Sequence, residues 1–278
     1  MKALVFVCLL ISSQCYAREI LWLRPDFPPG TFVSGPMQDK GYNDLARQYI
    51  MARLPGYTHH TETAGYERIV SLMTTDNVCI VGLYKSPARE KIILYSDVRG
   101  VILPNGVIIR AADRERFSHV MENGRIDIDA LLASSEFIGG VSDGRLYKGP
   151  VDAALTNHPD APHVLRRSGP DVFPSLLSML DRGRIDYTLG FPVELEYQQR
   201  LHKTTQPMLF IPVKDMPDAT PTYIACSRNA WGEQVIEEIN HILVNNRLDV
   251  EYLMTYQDWL DKDSAKRHQA LSEALFSR

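Results

Sequence analysis

The sequence predicts a two-lobed α/β fold, each lobe a mainly parallel sheet flanked by helices, with two chain crossings between the lobes. Three observations support this. Short apolar strands alternate with helical segments from Glu19 to Tyr84, a second alternating unit runs from Phe117 to Leu189, and two proline-punctuated extended stretches separate the units. Short connections in the order β, α, β, α, β argue an open sheet covered on both faces, because each parallel pair needs a crossover that lies against the sheet.

In the first unit, Glu19 to Arg24 reads as a strand and Asn43 to Leu54 as a helix closed by Pro55-Gly56. Tyr57 to Thr63 then reads as a strand, Tyr66 to Thr74 as a helix and the β-branched run Val78 to Tyr84 as a strand. Val101 to Arg110 is extended but broken at Pro104-Asn105-Gly106, which suits a crossing. In the second unit, Phe117 to Asn123 reads as helix, Phe137 to Val141 as strand, Pro150 to Thr156 as a helix start and Val164-Leu165 as a short strand. Val172 to Leu180 is helical, Gly183 ends it, and Ile185 to Leu189 is the next strand. The pieces Met121 to Asp127 and Leu180 to Asp186 read as one local solution used twice, a helix stopped by Gly in the left-handed cap position. Met208 to Val213 and Thr222 to Cys226, punctuated by Pro212, Pro217 and Pro221, form the second crossing. Ala230 to Asn246, Val250 to Leu260 and Ala265 to Phe276 are helical. The expected boundaries are therefore 18–103 with 218–278 for lobe one and 107–214 for lobe two, with crossings at 104–106 and 215–217. A cleft between lobes is the default place for a small ligand.

The first 17 residues stand apart. Lys2 precedes the apolar run Ala3 to Ile11, and Cys15-Tyr16-Ala17 ends in a small residue, the pattern of a signal peptide cleaved after Ala17. That run is too short to span a bilayer, so the mature chain is expected to be exported and periplasmic. With 45% apolar and 23% charged residues and a net charge of -4, the composition is that of a soluble globular chain with no electrostatic call for nucleic acid or an anionic membrane. Removing the signal leaves Cys79 and Cys226, which either form one bridge or remain two buried thiols.

Several segments resemble family 3 of the bacterial extracellular solute-binding proteins. They are Asp26-Phe27-Pro28-Pro29 after the first strand, Gly41-Tyr42-Asn43-Asp44-Leu45 opening the first helix, Gly82, Ser86-Pro87-Ala88-Arg89-Glu90, Tyr95-Ser96-Asp97, and Asp181-Arg182-Gly183-Arg184-Ile185-Asp186. Leu54 to His59 and Gly144 to Tyr147 look like an uncharacterised subgroup. The resemblance implies the periplasmic-binding-protein type 2 fold, two lobes that close on a solute. It implies that Arg89 grips a ligand carboxylate, since a guanidinium pairs bidentately with that group, and that the Ser86 hydroxyl helps. Tyr84 and Lys85 precede both and either line the cleft or face water. The resemblance also implies that the strands carrying Cys79 and Cys226 are neighbours, which suits a disulfide.

One position departs from the pattern. Amino-acid-binding members carry an acidic residue where this chain has Phe191, and Glu194 replaces it only if the loop bends differently. An ordinary α-amino acid is thus not the expected solute. Phe27, Phe191, Tyr147 and Tyr187 either wall the cleft or belong to the core. Arg145, in the turn Ser142 to Arg145 ahead of a helix start, would add charge to a site for an anion.

Other chemistry is weakly signalled. Gly140 to Gly144 satisfies the GxSxG pattern of α/β hydrolases without an oxyanion segment before it. His59-His60 with Glu62 is a tempting cluster, but neighbouring strand residues point to opposite faces, so the pair cannot chelate one ion. The expected function is that of a periplasmic binding protein closing on a small carboxylate-bearing solute for a membrane transporter. A sensor input domain is the alternative, and a cleft-based enzyme a weaker one. No cofactor or metal is expected, the chain is expected to be monomeric, and an inner-membrane permease is the implied partner.

Overall fold

The computed structural model describes residues 18–159, 161–168, 172–202 and 204–277. The signal segment, residues 1–17, lies outside the described residues. Two five-stranded sheets form the frame. The first contains β1 (Arg18–Arg24), β2 (Tyr57–Thr63), β3 (Val78–Val81), β4 (Ile93–Tyr95) and, from the far end of the chain, β14 (Ile224–Ser227), in the order β2-β1-β3-β14-β4. β1 runs parallel to β2 and β3, whereas β14 is antiparallel to β3 and β4.

Strand alternation splits this sheet's apolar residues between two layers. Ile20, Trp22, Cys79, Ile224 and Cys226 face one cluster, beneath α1 (Tyr42–Ala52), α8 (Ala230–Asn246) and α9 (Val250–Gln257). Leu23, Val78, Ile80 and Ala225 face the other, against Ile69 of α2 (Tyr66–Leu72). Cys79 and Cys226 are directly opposite each other in the β3–β14 register and are joined as a disulfide.

The second sheet has the order β10-β9-β11-β6-β12, built from β6 (Gly106–Arg110), β9 (Gly139–Ser142), β10 (Val164–Arg167), β11 (Tyr187–Gly190) and β12 (Met208–Pro212). β9, β10 and β11 are parallel, and β6 and β12 join antiparallel at one side. Its faces carry α4 (Ile128–Ala133) and α5 (Gly149–Asn157) on one side and α6 (Val172–Asp181) on the other, each with its own apolar cluster. The chain passes from one sheet to the other after β5 (Gly100–Ile102) and returns before β13 (Thr220–Thr222), and these two strands pair antiparallel as a ribbon.

Four local features differ from the expectation. The segment expected to be helical through Asn123 is a 3-10 helix over Ala111–Val120 followed by a hairpin of β7 (Met121–Glu122) and β8 (Arg125–Ile126). Asn123 (φ 52°) and Gly124 (φ 76°) form its two-residue turn. Two successive positive φ values are what such a turn requires, and Asn-Gly supplies them at low cost. Only Gly183 (φ 69°) acts as a helix stop, so the two similar heptapeptides are different structures. The run from Val78 stops as a strand at Val81, because Gly82 takes φ 89° and a Cβ there would stand 2.7 Å from Asn43 Nδ2. Finally, α7 (Pro192–Leu201) was not foreseen; Pro192 at its first turn and Glu194 accepting from Phe191 N at 2.9 Å start it.

Candidate functional site

A cavity of about 350 Å³ opens between the lobes. Lobe one contributes Phe27, Tyr42, Asn43, Tyr66, Gly82, Tyr84 and Arg89, lobe two contributes Phe191 and Val193, and the ribbon and C-terminal helices contribute Ile102, Thr222 and Tyr256. The loop bearing Phe27 is held by Asp44, fully buried at the start of α1, whose carboxylate accepts from Phe32 N at 2.8 Å and Gly41 N at 3.2 Å. The same carboxylate lies 3.0 Å from Arg47 and 3.3 Å from Arg24. Burial raises the hydroxyl pKa values of Tyr42, Tyr66 and Tyr84, so these groups stay neutral at the cavity wall.

Arg89 sits in α3 (Pro87–Glu90), which Ser86 caps by accepting from Arg89 N at 3.3 Å. One guanidinium nitrogen donates to the Tyr84 carbonyl at 2.9 Å, and the Tyr95 hydroxyl donates to the same oxygen at 3.0 Å. Glu90 is taken by Lys85 at 2.9 Å, and Arg89 has no carboxylate partner among the described residues. The remaining donors of the fork are thus available at a cavity wall. Ser86 is not among the lining residues; its oxygen serves the cap.

Of the lobe-two candidates Phe191 lines the cavity, while Arg145, Glu194 and Tyr147 are not among its lining residues. Arg145 pairs with both oxygens of Glu194 (3.0 and 2.7 Å) and donates to Asn105 Oδ1 at 3.1 Å. Burial disfavours its charge, but the Glu194 carboxylate outweighs that and raises the guanidinium pKa. Arg145 and Glu194 therefore neutralise each other, and Asn105, which also donates to the Tyr147 carbonyl at 3.1 Å, ties the pair to the first crossing. Tyr147 is 1% exposed and Tyr187 fully buried, both in the lobe-two core, with the Tyr147 hydroxyl accepting from Ser142 N at 2.9 Å. The helix start after residue 145 is already occupied by an anion of the chain itself, since Asp152 accepts from the backbone N–H groups of Tyr147 and Lys148 at 2.8 Å each.

Two cations missed by the sequence reading complete the electrostatics. Lys148 of lobe two reaches across to Tyr84 of lobe one, its Nζ 3.5 Å from the ring centroid. Partial burial and the charge of Arg89 hold its pKa below the ordinary lysine value. Arg99, 6% exposed, donates to Asn43 Oδ1 at 2.7 Å behind the cavity wall and has no carboxylate partner among the described residues. No local pattern marks either residue. The nearest signal is Lys148-Gly149-Pro150, which places a lysine at a helix entry.

The competing clusters have other occupations. His59 accepts from Trp22 Nε1 at 3.1 Å through Nδ1 and bonds the Leu54 carbonyl through Nε2, while Ser142 has no histidine partner among the described residues.

Neither a family model nor a curated protein matches the sequence. Solved structures do match. The probable amino-acid ABC transporter extracellular-binding protein ytmK of Bacillus subtilis is 17% identical over 88% of this chain and 99% of its own, with a TM-score of 0.63. The second substrate-binding domain of Lactococcus lactis GlnP, in an open conformation, is 16% identical over 87% of this chain and 94% of its own (TM-score 0.61). A histidine kinase sensor domain similar to periplasmic binding proteins is 15% identical over 87% and 96% (TM-score 0.56). Such identities speak for architecture alone: the chain has the two-lobed fold of the extracellular solute-binding proteins.

Proposed function

We propose that the chain is an exported solute-binding protein that closes on a small carboxylate-bearing solute and delivers it to a membrane permease. The observation that carries this reading is the interlobe cavity with one cationic fork, that of Arg89, in its wall and no acid against it. A guanidinium with unused donors in an apolar enclosure offers a carboxylate strong charge-assisted bonds. Phe27, Tyr84 and Phe191 would contact the body of the solute, while Arg145, Glu194 and Tyr147 would support the lobe-two wall and its crossing. Ser86 would act by holding α3 in place. The chain would bind without turnover and act as a monomer. It would work in the periplasm once cleaved after Ala17. Sensor input to a signalling protein is the second reading, favoured by the likeness to a histidine kinase sensor domain.

A thermal-shift screen of the mature protein against carboxylates, amino acids and sugars tests the proposal, because a solute bound only to the folded state raises Tm. A carboxylate is expected to give the largest shift. Arg89→Ala should lower its affinity roughly ten- to a hundredfold, the loss of about 1.5 to 3 kcal/mol from a charged hydrogen-bonding partner. An unchanged affinity would contradict the assignment. Co-purification with a permease or with a membrane kinase separates the two readings.

A further inference from the structure

Six aromatic side chains, Phe27, Tyr42, Tyr66, Tyr84, Phe191 and Tyr256, line the cavity, and Arg89 is the one charged residue among its lining residues. Three carboxylates of the surrounding segments are engaged elsewhere: Glu194 by Arg145, Glu90 by Lys85, and Asp152 by two backbone N–H groups. Three cations stand around the space, with Arg89 in the wall, Arg99 behind Asn43 and Lys148 against the Tyr84 ring. An ammonium placed here would be desolvated beside like charges with no carboxylate among the cavity's lining residues to pair with it, which is the costly way to bury a charge. Aromatic rings can hold a cation by their faces, and one face of Tyr84 holds Lys148.

We propose that the solute is a flat, apolar carboxylate without an ammonium group, its body among the rings and its anionic head shared between Arg89 of lobe one and Lys148 of lobe two. This rests on the solute-binding reading above and narrows its substrate class. It also gives lobe two an ionic jaw: Arg89 and Lys148 repel each other when the site is empty, and an anion between them converts that repulsion into attraction. Closure is then favoured by the charge that the site selects, as a ligand shifts a conformational equilibrium only through contacts that differ between its states.

The test is isothermal titration of the mature protein at pH 7.5 with 3-phenylpropionate, L-phenylalanine and trimethylglycine, the first two sharing a skeleton and differing by the ammonium. Binding of 3-phenylpropionate is expected, with L-phenylalanine and trimethylglycine at least tenfold weaker. Lys148→Met, which keeps the stem and places the same demand on the φ 69° backbone, should weaken 3-phenylpropionate about tenfold, and Lys148→Arg should restore most of it. Equal or tighter binding of L-phenylalanine or trimethylglycine, or an unaltered affinity in Lys148→Met with an unchanged melting temperature, overturns the proposal. If 3-phenylpropionate fails while another solute of the wider screen binds, the proposed class falls and the solute-binding reading stands. Failure of every solute removes both.

Discussion

At the scale of single residues, what a side chain does is decided by partners far along the chain. Asp44 is the clearest case. Its carboxylate neutralises Arg24 and Arg47, both buried, and fixes the loop that brings Phe27 to the cavity. Removing one member of a buried ionic group leaves the others charged and unpaired, a loss of roughly 3 to 5 kcal/mol. Asp39 also touches both arginines, so the low end is expected for Asp44→Ala, about 3 kcal/mol in urea unfolding, together with weaker solute binding. A loss under about 1 kcal/mol would show that this network does not hold the loop. Phe27, Tyr84 and Phe191 were candidates beside strand ends that the pattern reveals, Arg89 was a candidate through the family resemblance, and all four line the cavity. Arg145 was expected at a site for an anion, but its pairing with Glu194 was not legible, since Glu194 is 49 residues away and sits on a helix that periodicity does not display. Lys148 was missed because its contact is made across the cleft, where no sequence spacing reaches.

At the scale of elements, hydrophobic periodicity located strands and long helices, and it failed where turn geometry governs. Asn123-Gly124 reads equally as a helix stop or a hairpin turn, and the pairing of β7 with β8 decides it. Cysteine counting left the Cys79–Cys226 bridge as one of two readings and the resemblance favoured it; the antiparallel register of β3 and β14 is what sets the two residues opposite each other.

The last helix, α10 (Lys262–Phe276), is attached to the ribbon by His268, 2% exposed. Its Nε2–H donates to the Val101 carbonyl at 2.9 Å and its Nδ1 accepts from Gln257 at 3.1 Å, an arrangement that needs the neutral ring. Burial, opposed by the Val101 bond and aided by Arg99, lowers its pKa to about 4. Between pH 6.5 and that value the unfolded chain takes up a proton that the folded chain refuses, so stability falls as pH falls through the window and is whole above it. The shift corresponds to roughly 3 kcal/mol. Urea midpoints measured from pH 7 to 4 should decline less steeply in His268→Gln than in the parent; identical slopes would exclude His268 as the source.

At the scale of the whole molecule, the chain builds lobe one from both of its ends and inserts lobe two between, so two strands of backbone cross between the lobes. The lobes meet through Tyr84 and Lys148 on the cavity side and through Phe32, Tyr197 and Trp259 beside it, with ring centroids 5.4 to 5.9 Å apart. Apolar contact of this kind is indifferent to the solute; the ionic groups at the cavity are not. The relative motion of the lobes is therefore expected to depend on occupancy through Arg89. Cys79 and Cys226 are joined, so in a protein without residues 1–17 cysteines introduced at the exposed positions Arg68 in α2 and Arg166 in β10 can be spin-labelled selectively. The decisive measurement is the distribution of that interlobe distance with and without the carboxylate that gives the largest thermal shift. The account predicts a broad or longer distribution that narrows and shortens on saturation, and no such response in Arg89→Ala. A distribution that saturating solute leaves unaltered in the parent protein would contradict it.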